Sequence, residues 1–405
     1  MSKSNFFTGQ PVLNQLISLL DRNSVRHISR SGGFDRYYKH FDTFTHLVSM
    51  LYCCLNKCTS SREVVSGMKA CYHKLIHLGI SKPPARSTLC DANMKRSFKV
   101  FAKIYDHLYK RHKHLLPDSC LRIDPKLFIA DSSTISLFQQ ILKAVSPGKK
   151  NGKRKGGIKV HTLINAADHV PLKISFTAAS ANDMPFLKEI NLEEGSFIVF
   201  DKGYVDYSEY QRFTDQGVFF VTRQKKDARY EVESSRAISK ESREKGVQKD
   251  ETLIQGTRTQ REKIKLRVRM VTFFDKESGR TFQFLTNNFS LEPHDIADLY
   301  KKRWLIEILF KRVKQNFPLQ YFLGDNENAI KIQIWCAFIA DLLIKIVQVQ
   351  LKKKWSFSNL NSIIRLHLMS YLHLFNFLNN PEKLAITKEK SYQLKIRGLE
   401  TGFKT

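Results

Sequence analysis

A series of short apolar runs in the middle of the chain places the strongest constraint on its fold. Turn-forming or charged residues separate the runs, which lie at residues 127–130, 158–164, 172–177, 197–200 and 218–222. Short apolar runs of this kind are typical of buried strands, because a helix needs a longer stretch. Residues 184–190 have a helical pattern. The sequence therefore predicts a mixed sheet with helices, an α/β architecture.

Helical patterns flank this central region. Pro and Gly are sparse between about residues 5 and 116, where apolar residues recur every three or four positions, and residues 292–378 are again helical. Residues 225–263 are highly charged, and strand-like runs resume at 264–274 and 281–285. We predict an all-α N-terminal DNA-binding domain at 1–118, a catalytic α/β domain at 122–224 and 290–350, a β-rich insertion at 225–289, and a C-terminal helical region with a basic tail at 351–405.

Two helices late in the N-terminal region fit a helix-turn-helix. Ser60 is a suitable N-cap for the first helix, residues 79–84 break the pattern, and a second helix begins near Ser87. Polar and basic residues on the second helix, including Lys95 and Arg96, are typical of a helix that enters the major groove. An ordinary helical hairpin with a solvated polar face explains the same pattern, so both interpretations stay open.

The charge balance favours a nucleic-acid partner. Lysine and arginine total 67 against 38 aspartate and glutamate residues, a formal net charge of +29 that is spread along the chain. A globular protein this basic attracts polyanions, and nucleic acid is the commonest large one. A ribosome-associated or membrane-surface protein is the alternative class on charge alone.

The sequence indicates neither export nor a membrane span. Residues 1–9 lack the apolar segment of a signal peptide. The longest apolar run, residues 334–351, contains Asp341 and Lys345, which favours a buried helix. Seven cysteines, an odd number in a chain of 405 residues, indicate no disulfide framework. We expect a cytoplasmic protein without a membrane partner.

Two aspartates follow buried apolar runs. Asp131 comes directly after residues 127–130, and Asp201 comes directly after residues 197–200, with Gly203 behind it. Carboxylates at strand exits point into the crevice beyond a sheet, and two of them face each other if their strands are neighbours. Facing carboxylates repel unless a cation lies between them, and oxygen ligands favour Mg²⁺ or Mn²⁺. For Asp131 taken alone, a cap of the following turn is the better explanation.

Four polar residues in the C-terminal half form the most specific pattern. They are Tyr300, Arg303, Glu307 and Lys314. On one continuous helix they fall within an arc of about 60°, at the margin of the apolar stripe, where a helix lines a cleft. An ion pair between Arg303 and Glu307 on a solvated face is the simpler explanation. It does not account for Tyr300 and Lys314, which extend the line over about 20 Å of helix.

The order of these residues resembles insertion-sequence DDE transposases of the IS-four type. The shared elements are a strand followed by Asp131, the sequence Asp-Lys-Gly-Tyr at residues 201–204, and the pattern Tyr-x2-Arg-x3-Glu-x6-Lys that begins at Tyr300. Residues 156–161 also resemble the second strand of that family. One departure is Lys202, which replaces the arginine commonly found there.

The resemblance covers about residues 128–332 and implies a fold, a metal site and an activity. The fold is a ribonuclease H-like catalytic domain with a β-rich insertion. The catalytic residues and metal ligands are Asp131, Asp201 and Glu307, which would hold two Mg²⁺ ions, with Mn²⁺ able to substitute. The activity is cut-and-paste transposition, in which DNA is cleaved at insertion-sequence ends and joined to a target.

DNA contacts and partners also follow from the resemblance. Arginine binds a phosphate bidentately and lysine acts as a point charge. The implied DNA-binding residues are Tyr300, Arg303, Lys314, Trp304, Lys202, Lys153, Arg154 and Lys155. Trp304 would stack on a flipped base, although a buried core position explains a tryptophan there equally well.

The implied partners are double-stranded DNA, as terminal inverted repeats and as target, and a second copy of the chain, since two DNA ends must be paired. The implied location is the bacterial cytoplasm, at the nucleoid. Two alternatives stay open. One is a ribonuclease H-like nuclease that cuts without joining, and the other is a DNA-binding derivative without catalysis.

Overall fold

A computed structural model describes residues 9–36, 38–116, 126–136, 149–150, 153–154, 157–256 and 265–382. Its N-terminal region is helical, which confirms that part of the predicted fold. The helices are α1 (Val12–Ser18), α2 (Arg22–Ser31), α3 (Thr43–Asn56), α4 (Ser61–Ala70), α5 (Tyr72–Leu75), α6 (Arg86–Lys95) and α7 (Lys99–His112).

The two helices that were expected to form a helix-turn-helix are α4 and α6, which pack against each other. Ser60 is the N-cap of α4, and its hydroxyl accepts a hydrogen bond from the Glu63 amide at 3.2 Å. The chain between the helices turns at Gly79, whose φ of +67° lies in the left-handed region. Lys95 of α6 is exposed, but Arg96 is buried and its guanidinium donates to Asp35 and to the Phe41 carbonyl, so the expectation that Arg96 faces the groove was wrong. The proposed reading of DNA by α6 stays a prediction.

A nine-stranded sheet lies at the centre of the molecule, which confirms the predicted α/β architecture. Its strands are β1 (Leu127–Ser136), β4 (Gly157–Asn165), β5 (Pro171–Ala178), β6 (Phe197–Phe200), β7 (Phe219–Arg223), β8 (Tyr230–Ser235), β9 (Val247–Gln255), β10 (Leu266–Asp275) and β11 (Arg280–Thr286). A separate two-stranded ribbon is formed by β2 (Lys149–Lys150) and β3 (Lys153–Arg154).

The order of strands in the sheet is β5–β4–β1–β6–β7–β11–β10–β9–β8. Parallel pairing joins β1 to β6 and β6 to β7, whereas the other described ladders are antiparallel. The charged stretch at residues 225–263 contains β8 and β9, which the sequence did not predict individually. These strands, with β10 and β11, extend the same sheet beyond β7. The predicted boundaries between domains stay predictions.

Helices cover both faces of the sheet. One face carries the short helices α8 (Pro185–Lys188) and α9 (Tyr207–Asp215), and the other carries the N-terminal helices together with α11 (Pro293–Lys301), α12 (Trp304–Asn316), α13 (Glu327–Gln350), α14 (Phe357–Leu366) and α15 (Leu374–Asn379). A further helix, α10 (Lys240–Lys245), packs on β9. Successive side chains of a strand point to opposite faces, so Ile129 of β1 packs in one core and Ala130 in the other.

The longest helix, α13, is long and apolar enough to cross a membrane. In the folded chain it is buried and packs on α3, α6, α7 and α14, so it acts as the central helix of the core. Its Asp341 accepts two hydrogen bonds from the guanidinium of Arg312, at 2.8 and 2.7 Å. Because Arg312 belongs to α12, this buried ion pair holds α12 in place against the core.

Candidate active site

Two predicted site residues, Asp131 and Asp201, lie side by side where the parallel pairing of β1 with β6 ends. The last register partners of β1 and β6 are Ala130 and Phe200. The next residue of each strand is the aspartate, so the two carboxylates emerge at the same edge of the ladder. One expectation was wrong in detail. Asp131 lies within β1 rather than at its end, because β1 continues to pair with β4 as far as Ser136.

The line of four polar residues spans two helices instead of one. Helix α11 ends at Lys301 and α12 begins at Trp304. The amide of Arg303 donates to the Tyr300 carbonyl, and the amide of Ile306 donates to the Arg303 carbonyl, at 3.0 and 3.2 Å. These bonds span three residues, so the chain tightens into a 3-10-type turn at Arg303. The expectation of one continuous helix was therefore wrong.

Despite this turn, side chains of the polar line contact both aspartates and strand β1. The Tyr300 hydroxyl donates to Oδ1 of Asp201 at 3.1 Å. The guanidinium of Arg303 donates to Oδ2 of Asp131, and also to Oε1 of Glu307 at 2.5 Å. The final contacts come from the ammonium of Lys314, which donates to Oγ of Ser133 at 2.7 Å and to the carbonyl of Thr134 at 3.0 Å.

One further residue, Arg223, enters the site without having been predicted. It is the last residue of β7, the parallel neighbour of β6, and its guanidinium donates to Oδ1 of Asp201 at 2.9 Å. No motif marks it in the sequence. The only available signal is that Arg223 follows the apolar run at residues 218–222, as Asp131 and Asp201 follow theirs.

These side chains line one cavity of about 650 Å³. Its charged lining consists of the three carboxylates of Asp131, Asp201 and Glu307 and the four cations of Arg223, Arg303, Lys311 and Lys314. Two of the acidic groups, Asp131 and Asp201, come from the sheet and the third, Glu307, comes from α12, and the basic groups line the same cavity. A cavity with this distribution can hold a cation among the carboxylates and an anionic phosphate beside it.

The two aspartates differ electrostatically. Burial is the main reason that the pKa of Asp131 is raised to about 6; the charge of Arg303 opposes this shift, and the negative charges of Asp201 and Glu307 add to it. Burial also acts to raise the pKa of Asp201. The hydrogen bonds and charge supplied by Arg223 and Tyr300 outweigh that burial, so the pKa of Asp201 lies below its usual range.

The chemistry of the donor set fits a hard divalent cation. The three carboxylates offer oxygen ligands only, the type that Mg²⁺ and Mn²⁺ prefer. As the side chains stand, no three His, Cys, Asp or Glu residues in the described part of the chain form a ready metal cluster. The reason is visible at Arg303, whose guanidinium bridges Asp131 and Glu307. These two carboxylates already share one cation, and a metal ion would require the guanidinium to turn away.

The remaining predicted DNA-binding residues have different positions. Trp304 is 60% exposed at the start of α12, so the alternative of a buried core tryptophan was wrong. Lys202 is exposed in the turn directly after Asp201. Lys153 and Arg154 form strand β3 of the two-stranded ribbon. Lys155 lies outside the described residues.

Comparison with known families matches most of the chain. Residues 122–343 match the family described as transposase DDE domain. This segment includes both aspartates, the glutamate and strands β8–β11. Residues 8–81 match a domain of unknown function.

Three curated relatives carry the name transposase. A protein of Sinorhizobium fredii is 30% identical over 65% of this chain and 71% of its own length. A protein of Geobacillus stearothermophilus, named for insertion sequence element IS5377, is 28% identical over 59% of this chain and 61% of its own length. A protein of Synechocystis, named for insertion sequence element IS4SA, is 26% identical over 65% of this chain and 72% of its own length.

Proposed function

The chain belongs to the family of transposase DDE domains and is a DNA transposase, and we propose that it cuts DNA at insertion-sequence ends and joins them to a target with Asp131, Asp201 and Glu307. The observation that carries this proposal is the convergence of the three carboxylates on one cavity with Arg223, Arg303, Lys311 and Lys314 around them. Cleavage of a phosphodiester requires both charge types, since the metal and the phosphate carry opposite charges.

Transposase DDE domains generally use divalent metal ions. We propose that Asp131, Asp201 and Glu307 hold two Mg²⁺ ions, for which Mn²⁺ can substitute. Bound ions would supply a nucleophilic water or 3′-hydroxyl at neutral pH and stabilise the leaving oxygen. Burial of Asp131 beside two like charges supports this assignment, because a cation relieves the repulsion.

The cations around the carboxylates would position the DNA. Arg303 can exchange its carboxylate partners for phosphate oxygens, since its fork geometry suits both. Lys314 lies beside Ser133 on β1 and would contact a phosphate near the scissile bond as a point charge. Trp304, Lys202, Lys153, Arg154 and Lys155 would contact flanking DNA.

The order of the first five strands in the sheet supports a ribonuclease H-like catalytic domain. Along the chain, these five strands are β1, β4, β5, β6 and β7. In the sheet they lie in the order β5–β4–β1–β6–β7, with β4 antiparallel to both of its neighbours and β6 parallel to β1. We infer that strands β8–β11 are an insertion of this domain between Asp201 and Glu307. We also infer that a homodimer pairs two terminal inverted repeats and acts on DNA in the bacterial cytoplasm, at the nucleoid.

A cleavage and joining assay with terminal-repeat DNA and Mg²⁺ tests the proposal. The wild-type chain is expected to give strand-transfer product, whereas Glu307→Gln is expected to abolish cleavage and keep DNA affinity within about threefold, since it removes a metal ligand and no positive charge. Cleavage without joining would instead indicate a nuclease, and a mobility shift without cleavage a DNA-binding derivative.

Glu327→Gln is the matched control. Glu327 also lies in the first turn of its helix and pairs with a cation four residues away, Lys331, but it does not line the cavity. Cleavage by this variant should equal that of the wild type. Equal loss of activity in both variants, or loss of DNA binding in Glu307→Gln, would contradict the role assigned to Glu307.

A further inference from the structure

We propose that Asp183 is a positioning residue that holds Asp131 and the turn after Asp201 in register for metal binding. The inference rests on the proposed metal site. Asp183 lies in the loop before α8, outside the three-carboxylate set. It approaches β1 from the face of the sheet opposite to Arg303 and Glu307. There it lies beside the residue after Asp131 and beside the turn after Asp201.

The alternation of side chains along β1 places Asp131 and Ser132 on opposite faces of the sheet. Asp131 and Ser133 point to the face of α12, where Arg303 and Lys314 contact them. Ser132 points to the other face, where its hydroxyl donates to Oδ1 of Asp183 at 3.1 Å. Asp183 therefore holds Ser132, the residue directly after the proposed metal ligand Asp131, from the opposite face of the sheet.

Asp183 also reaches the segment after β6. The turn at Gly203 faces this carboxylate, since an ideal Cβ built on Gly203 would lie 3.5 Å from Oδ2 of Asp183. The next residue, Tyr204, is 1% exposed, and its hydroxyl interacts with Ser132. His161 on β4 completes the group, with Nδ1 3.4 Å from the Tyr204 hydroxyl and 3.7 Å from Oδ1 of Asp183.

The need for such a connection follows from the ladders around β1. Beyond Ala130 and Phe200, the described residues contain no further pairing between β1 and β6. From Asp131 to Ser136, backbone hydrogen bonds therefore tie β1 only to β4 within this part of the structure. The two aspartates of the proposed metal site lie just beyond the last pair of the β1–β6 ladder. Side-chain contacts, and not backbone hydrogen bonds between β1 and β6, therefore connect the two strands at this point.

The carboxylate of Asp183 is itself well fixed. The ammonium of Lys159, on β4, lies 2.9 Å from Oδ1 of Asp183 and also donates to the Ala181 carbonyl at 2.7 Å. The Lys159 side chain is 14% exposed and that of Asp183 is 23% exposed. An ion pair with this little exposure is directional, so Asp183 can transmit its position to Ser132.

Direct titration with Mn²⁺ alone, in the absence of DNA, tests the inference on the full-length chain. Free Mn²⁺ is measured by electron paramagnetic resonance, so the readout does not depend on activity. Asp183→Asn is expected to weaken Mn²⁺ binding by about 10- to 100-fold, the usual effect of removing a group that orients a metal ligand. Ser132→Ala removes only the connection and is expected to reproduce most of this loss.

The double variant Ser132→Ala, Asp183→Asn separates positioning from general destabilisation. If Asp183 acts through Ser132, the two losses are not additive, and the double variant binds Mn²⁺ about as weakly as Asp183→Asn. Fully additive losses, or Mn²⁺ affinity within twofold of wild type in Asp183→Asn, would overturn the inference. If Asp183→Asn does not fold, Ser132→Ala decides, because a wild-type affinity in that variant also overturns it.

Asp168→Asn is the matched control. Asp168 is a buried aspartate at the opposite end of the β4–β5 hairpin, where it accepts hydrogen bonds from the Val170 amide and the Tyr109 hydroxyl. Asp168→Asn should leave Mn²⁺ affinity unchanged. If it weakens Mn²⁺ binding as much as Asp183→Asn does, the effect of Asp183→Asn is not specific to Asp183. Asp131→Asn in the same titration keeps the two proposals distinct. If Asp131→Asn binds Mn²⁺ normally, the proposed metal site is wrong. If Asp131→Asn loses Mn²⁺ affinity and Asp183→Asn does not, only the role of Asp183 is wrong.

Discussion

Arg303 donates a hydrogen bond to Asp131, a residue 172 positions earlier in the chain, and the same guanidinium also binds Glu307. Two carboxylates that were assigned to a metal site thus share a protein cation. Side chains of Arg303 and Asp131 are only 17% and 16% exposed, so their attraction is weakly screened by water. The guanidinium competes with a metal ion for the same carboxylates.

Removal of this competing charge should strengthen metal binding while it weakens DNA binding. We expect Arg303→Ala to bind Mn²⁺ about tenfold more tightly without DNA, equivalent to about 1.4 kcal/mol, and to lose cleavage activity. Lys311→Ala removes another cation of the cavity, one that forms no ion pair with a carboxylate among the described residues. It should change Mn²⁺ affinity less than Arg303→Ala does. Weaker Mn²⁺ binding by Arg303→Ala would show that Arg303 supports the site instead of competing for it.

Arg223 should set the pH range over which Asp201 is ionised. It donates to Oδ1 of Asp201 and helps to hold the pKa of that carboxyl below its usual range. Arg223→Gln is therefore expected to raise the pKa of Asp201 and move the acidic limb of the cleavage rate towards higher pH. Arg223→Lys keeps the charge and should shift the profile less. Identical pH profiles for all three proteins would exclude this role.

Metal affinity should fall in acid because of Asp131. Burial raises the pKa of Asp131 to about 6, and a protonated carboxyl does not ligate a metal. Mn²⁺ binding is expected to weaken as pH falls below about 6, by about tenfold per pH unit once the group is mostly protonated. Titrations at pH 5 and pH 7 measure the change, and equal Mn²⁺ affinity at the two pH values would contradict it.

The stability of the metal-free protein should decrease as pH rises, whereas Mn²⁺ affinity increases. The pKa of Asp131 in the folded chain lies above its ordinary value of 3.8, so the folded state binds more protons than the unfolded chain between about pH 4 and pH 6. The free energy of unfolding should decrease as pH rises through this window, by at most about 3 kcal/mol from this residue. Asp168, whose pKa burial also raises to about 6, acts in the same direction. Denaturant titrations of Asp131→Asn and wild type isolate the part due to Asp131, and parallel curves would contradict it.

DNA affinity should depend steeply on salt. The net charge of +29 implies many phosphate contacts, each of which releases counterions. If Lys314 contacts one phosphate, Lys314→Ala should reduce the slope of log affinity against log salt by about 1. Lys245→Ala is the control, since Lys245 pairs with Glu241 on α10, away from the cavity. Equal slopes for Lys314→Ala and wild type would remove Lys314 from the DNA contacts.

The sequence determined those features that depend on local order. Short apolar runs predicted the strands that carry Asp131 and Asp201, because a buried strand needs only a few apolar residues. The spacing from Tyr300 to Lys314 predicted one polar line beside the apolar stripe, since helical geometry repeats over a few residues. The turn at Arg303 does not separate these residues, because Tyr300, Arg303 and Lys314 still contact Asp201, Asp131 and Ser133.

Tertiary structure alone decided which residues share the cavity. Strand order places β7 beside β6, which brings Arg223 to Asp201. On the other side of β1, the order β5–β4–β1 brings Asp183, which follows β5, to Ser132. Neither contact has a signature in the sequence, because strand order depends on long-range packing and not on the spacing of residues along the chain. The bridge from Arg303 to Asp131 has the same origin. Helix α12 lies against β1 only because the core and the Arg312–Asp341 pair hold it there.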